Sequence, residues 1–241
     1  MKTRIALALI LAAGPAVAAG EVDATIDRED QKVMSSETFL DAHPDIKFRT
    51  EGWVAYEAGR YEDALANFRR AAGYADKLSQ AMLAEMSWHG RGTPVDRAIA
   101  YAWADLAAER GYPQFVALRE QYWADLTEAQ RARAIEEGRD LLATYGDAVA
   151  RERMADHLRR ARRYMISGRP RRDALVVIPG ENGRELWIRG WDFYAAKFWE
   201  PNHYEAWVDA RWAPLPSGTV DVLDLEVVKD AEGAGSEPAG D

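Results

Sequence analysis

The sequence predicts a mainly α fold, an α-α superhelix of stacked helical hairpins, followed by a small C-terminal α+β module with a short antiparallel sheet. Two observations predict the superhelix. Small and large apolar residues alternate at helical spacing through residues 46–77, and the pattern returns 36 positions later, where Ala64, Phe68 and Ala71 have Ala100, Ala104 and Ala107 as counterparts. A recurrence of about 34 to 45 residues is the spacing of helical hairpins that bury their faces against one another. The module is predicted by a change of composition. Ala174 to Ile178 and Glu185 to Arg189 read as strands, with Asn182-Gly183 between them as a hairpin turn.

The first element is a targeting segment. "MKTRIALALILAAGPAVAAG" sets Lys2 and Arg4 before a short apolar run and ends in small residues, so residues 1–19 are expected to be a cleaved signal peptide. The remaining chain is then expected in the periplasm or secreted, with no transmembrane segment. Residues 20–45 read as an acidic arm and one short helix stopped at Pro44.

Residues 46–168 are expected to form the helical-repeat domain. Gly52, Ala55, Gly59, Ala64 and Ala71 alternate with Tyr61 and Phe68. Two antiparallel helices approach closely only where one surface shrinks to Gly or Ala, and the aromatic of the partner fills the groove. In the second hairpin Gly90 and Gly92 allow a sharp loop, Thr93 and Pro94 are expected to cap and open the following helix, and Gly111 to stop it. Pro113 opens a further helix to Ala124. "TEAQ" at 127–130 is a capping box before one reaching Tyr145, and Asp147 starts another with Met154, Leu158, Ala161 and Met165 on one stripe, ended by Gly168. These three are expected to extend and cap the solenoid.

The stretch "AMLAEMSWHGRGTPVDRAIAYAWADLAAERGYP" resembles a unit of the Sel-like repeat family, the variable-length branch of the tetratricopeptide superfamily. The resemblance rests on Gly90, Gly92, Asp96, Ala100, Trp103, Ala107, Ala108 and Gly111. The preceding unit is closer to an ordinary tetratricopeptide repeat, since it lacks the G-x-G loop. The resemblance implies a scaffold or adaptor and carries over no catalytic residue.

Beyond the repeats, residues 169–228 read as a β-rich aromatic module with a third strand in 218–228, and 229–241 as a disordered acidic tail. Nine of the chain's aromatic residues fall between Trp187 and Trp212, and the reading favoured for them is the core of this module, with sugar stacking the competing one.

Composition narrows the function. Net charge is −9, against nucleic-acid binding, and the absence of cysteine removes disulfides and thiolate sites. His43, His89, His157 and His203 stand too far apart for a helical metal pair, and no nucleophile-elbow or phosphate-loop pattern is present. No enzyme, metal or cofactor is expected. Nine arginines in 151–172 face only Glu152 and Asp156. The reading favoured for them is a solvated face partly neutralised by local acids or the acidic tail, and an anionic partner is the competing one.

The partner expected is a protein or peptide, bound on the repeat surface by Tyr56, Arg60, His89, Arg91 and Trp103, though for Trp103 the inter-repeat core is the favoured role. The alternative is a cell-wall glycan, peptidoglycan, stacked on Trp191, Trp199 and Trp207 beside carboxylates.

Overall fold

Gly52 and Phe68 show how the first hairpin closes. A methyl group on Gly52 would stand 2.7 Å from two ring carbons of Phe68, so the ring fits only because that side chain is absent. The computed structural model describes residues 28–165, 173–179 and 185–212. Within these, α1 (Arg28–Met34) and α2 (Glu37–Ala42) precede three hairpins. These are α3 (Pro44–Glu57) with α4 (Tyr61–Ala72), α5 (Lys77–His89) with α6 (Arg97–Ala107), and α7 (Pro113–Asp125) with α8 (Glu128–Tyr145). Helix α9 (Asp147–Met165) follows, then strands β1 (Leu175–Pro179) and β2 (Glu185–Arg189), the short turns α10 (Gly190–Phe193) and α11 (Ala196–Trp199), and α12 (Pro201–Ala210). Among the described residues the architecture is mainly α with a two-stranded antiparallel sheet, which agrees with the predicted fold class.

The hairpins stack in order: α4 packs on α5, and α6 on both α7 and α8. Ala64 and Ala100, the small residues that anchor the repeat, are fully buried. Gly59, Gly90, Gly92 and Gly111 all take positive φ. Gly92 has a second constraint, because a methyl there would lie 2.6 Å from the Tyr61 carbonyl, so the loop of the second hairpin rests on the first turn of α4. The Thr127–Gln130 capping box forms, and Pro113 sits in the first turn of α7.

Three details differ from the sequence reading. Pro44 does not merely stop a helix. It occupies the first turn of α3, where its missing N–H is no loss, so the first hairpin begins two residues earlier than expected. Thr93 and Pro94 stay in the loop, and Asp96 caps α6 by accepting from the Ala98 and Ile99 amides, both at 3.1 Å. The acidic segment is also no loose arm over residues 28–45. Val33, Phe39 and Ala42 are buried in a second core with Met154 and Leu158 of α9 and with Ile178, Ile188, Phe198 and Trp199.

His43 holds this second core together. Its ring stacks on Phe39 at 3.7 Å, and its two nitrogens lie 2.7 Å from the carbonyl oxygens of Phe39 and Phe198. Burial, only partly offset by those carbonyls, pushes its pKa down to about 4. The C-terminal module thus shares its interior with the N-terminal helices. The signal segment 1–19, the Asn182-Gly183 turn, Gly168, the strand in 218–228 and the tail 229–241 lie outside the described residues. Among the described residues no helix is long and apolar enough to cross a membrane.

Candidate functional site

Helix α5 is buried almost all round, and Glu85 is buried in it beside Met82, Leu83 and Met86. A lone carboxylate in such a helix needs donors, and they come from three directions. His89, one turn on, places Nε2 3.3 Å from Oε2. Arg91, in the loop that Gly90 turns, places Nη1 3.4 Å from Oε1. Tyr122 of α7 donates its hydroxyl to Oε2 at 3.5 Å. The same Arg91 nitrogen donates to the hydroxyl of Tyr56 at the end of α3. Tyr56 in turn meets Trp53 and Tyr61 edge-on, and Trp88 stacks on Tyr122 at 3.9 Å.

Side chains from the first helix of each hairpin, α3, α5 and α7, therefore meet at one cluster. Burial raises the Glu85 pKa, and the neighbouring His89 and Tyr122 offset this in part. The Tyr122 hydroxyl is pushed up in turn, by burial and by Glu85. All three contacts to the carboxylate are long, so Glu85 keeps acceptor capacity that a better donor from a ligand would use. Half of the His89 side chain is exposed and so is part of Arg91, which makes the cluster reachable from solvent.

A carboxyl whose folded pKa is raised contributes most below its ordinary value of 4.5, and that contribution is lost as pH rises. Glu85→Gln is therefore expected to match or exceed the parent in thermal stability at pH 8 and to lose that advantage towards pH 4, in melting curves taken across the range.

The residues singled out from sequence divide clearly. Tyr56, His89 and Arg91 converge. Arg60 does not join them: it faces solvent and pairs with Asp63 at 2.8 Å. Trp103 is a core residue, buried between α6 and α8 with its ring 4.8 Å from Tyr145, so it is not a surface for a partner. Of the glycan set, Trp199 is buried, its indole N–H donating to the Phe193 carbonyl, and Trp207 packs against Phe198 and Tyr204. Trp199 therefore offers no face to a sugar, and Trp207 is partly buried with Arg211 over its ring at 4.8 Å. Trp191 is 63% exposed, and Trp187 on the outer face of the sheet is 59% exposed.

Four arginines of the block have partners within the fold, part-buried at Arg151 and Arg153 and solvent-facing at Arg159 and Arg162. Arg151 bonds Glu205 and Asp209, Arg153 the carbonyls of Gly73 and Thr144, Arg159 the acids Glu152 and Asp156, and Arg162 Glu200. Among the described residues no group of three His, Asp or Glu side chains is placed to hold a metal ion.

Sequence reasoning missed Glu85 and Tyr122. The signal for Glu85 was a solitary acid inside "AMLAEMSW"; nothing local marks Tyr122, which arrives from the next hairpin. No family model, curated protein or solved structure matches the chain.

Proposed function

We propose that this protein is a periplasmic helical-repeat scaffold or adaptor of the Sel-like kind, which holds another protein or a peptide at the Glu85 cluster. The observation that carries the reading is the convergence of His89, Arg91 and Tyr122 on one buried carboxylate, with Tyr56 of the first hairpin held to them through Arg91. Tyr and Arg are the side chains that most often anchor protein interfaces, since each combines a large apolar body with a polar tip. Glu85 adds an acceptor in a weakly solvated place, suited to a backbone amide, a lysine or an arginine of the partner. No bond is made or broken in this role.

The test is a photo-crosslinking amino acid placed at position 89, with a second variant carrying it at 187, in the protein expressed in its native periplasm. The expected result is a discrete protein adduct from position 89 that disappears when Arg91 is also changed to Glu. A second reading, cell-wall glycan binding, is favoured by the exposure of Trp187 and Trp191 alone. Adducts confined to position 187, or co-sedimentation with peptidoglycan abolished by Trp187→Ala, would replace the first reading by the second.

A further inference from the structure

The third hairpin does not close as the first two do. Helix α3 packs along α4 and α5 along α6, whereas α7 and α8 each pack on α6 and scarcely on each other. Two helices that part in this way over a third leave a trough between them, and here it measures about 560 Å³. That lies within the range of about 300–1,000 Å³ in which proteins hold small molecules.

The trough has a floor, a closed end and a rim. Ala102 and Leu106 of α6 line it with Ala134 and Gly138 of α8, and a methyl on Gly138 would stand only 3.7 Å from that of Ala102, so small residues keep the floor low. Near the α7–α8 turn the Tyr101 ring lies 4.8 Å from that of Trp123, and Ala98, Leu126 and Ala134 pack with them to close that end. From Ala134 to Leu142 is roughly 12 Å along α8. On the rim Ile135 and Leu142 are 53% and 52% exposed, large apolar side chains that nothing in the fold covers among the described residues.

Four charged residues line the trough. Glu109 is matched by Lys77 and by the Asp147 amide, and Arg119 by Glu120 and more distantly by Asp105. Arg139, between Ile135 and Leu142 in the sequence of α8, has no hydrogen-bonded or ion-paired partner among the described residues. Apolar wall and one uncommitted guanidinium fit an anion with an apolar body, since that group pairs with a carboxylate through two parallel bonds. The closed end sets the shape. A helix is about 10 Å across and needs a groove open at both ends, whereas an alkyl chain can end against Tyr101 and Trp123.

From this we infer that the trough binds a small amphiphilic carboxylate, its alkyl chain running towards Tyr101 and Trp123 and its carboxylate paired with Arg139. No residue of the Glu85 cluster lines the trough, so this inference is independent of the adaptor reading and neither needs the other.

The test uses the full chain labelled with nitrogen-15 at pH 7.5, titrated with sodium octanoate, with 1-octanol as the neutral isostere and n-octylammonium chloride as the charge-reversed one. Amide signals of residues lining the trough are expected to move saturably with octanoate, at an affinity at least tenfold above that for either other probe. Arg139→Gln, a change at an exposed position, is expected to abolish that preference and leave octanol binding as it was. Gly138→Leu, whose side chain would enter the trough, is expected to lose binding of all three probes; if that variant fails to fold, the Arg139→Gln comparison decides. Absence of saturable shifts, saturable shifts centred elsewhere, equal affinity for the three probes, or an unchanged preference in Arg139→Gln would each overturn the assignment. So would movement of the same signals on dilution of the protein alone, which would make a second copy of the chain the occupant.

Discussion

Arg110→Ala is expected to lower the stability of the protein by about 3–5 kcal/mol, the range for breaking a buried ion pair by removing one partner. At about 2–4 °C per kcal/mol for a chain of this size, the melting temperature drops by roughly 10 °C. The reason is position. Arg110 ends the short 3-10 turn after α6 and is 8% exposed in its side chain. Its Nε and Nη2 donate to the two oxygens of Asp147 at 2.7 and 3.0 Å, Nη1 donates to Asp209 at 3.0 Å, and Nη2 also reaches the Ala75 carbonyl at 3.2 Å. One planar fork therefore ties the second hairpin to the α4–α5 turn, to the first residue of α9 and to α12.

Lys77 joins the same network, 2.9 Å from Glu109 and 3.0 Å from Asp147, but a lysine cannot take over four bonds in fixed directions. Arg110→Lys should accordingly recover only part of the loss.

The pH dependence of that loss has a definite sign. Burial alone would raise the Asp147 pKa, yet the bonds from Arg110 and the charge of Lys77 outweigh it and hold the group below its ordinary 3.8. A depressed carboxyl stabilises the fold above its unfolded value, and this contribution is lost as pH falls through the folded one. The difference between the parent and Arg110→Ala should therefore be full at pH 6 and shrink below about pH 3.8, in urea titrations at each pH.

Phe68→Ala is the second large effect, at about 3–5 kcal/mol, because the ring is fully buried and its removal leaves a cavity that helices on both sides cannot close. The more informative variant is its neighbour. Gly52→Ala puts a methyl 2.7 Å from the Phe68 ring and should cost about 1–3 kcal/mol by overpacking. Combined with Phe68→Leu, which withdraws the ring, the methyl gains space, and the double variant should be more stable than the sum of the two single losses implies. Simple additivity would mean that Gly52 and Phe68 do not constrain each other, and that the small-against-large rule is not what closes the hairpin.

How much of this could be read without coordinates follows the range of the interactions. The hairpins, the Pro113 start, the Thr127–Gln130 box and the Gly111 stop are set by residues within a turn or two of each other, and all were legible. Asp96 and Thr93 are both good caps, and the choice between them depends on how Gly92 seats the loop against Tyr61, which is a contact between hairpins. The second core was invisible for a stronger reason: Phe39 and His43 meet Phe198 from more than 150 residues away, and nothing local in the "SETFLDAHPD" stretch announces that partner. Trp103 was ambiguous for a different cause, since a tryptophan in an alanine-rich helix serves core and surface patterns alike until its ring is seen against Tyr145. For the candidate site the types were legible, in Tyr56, His89 and Arg91, but the carboxylate that His89 and Arg91 share was not.

The central claim is that the Glu85 cluster, set by stacked hairpins, is where a partner docks. Its most direct test is the equilibrium affinity of the partner captured at position 89 for the purified parent protein and for Arg91→Ala and Glu85→Gln. Both variants should keep the parent's helical circular dichroism and lose at least tenfold in affinity, as is usual when a central interface anchor is removed. Parent-like affinity in both, or a loss caused instead by Trp187→Ala, would contradict the account.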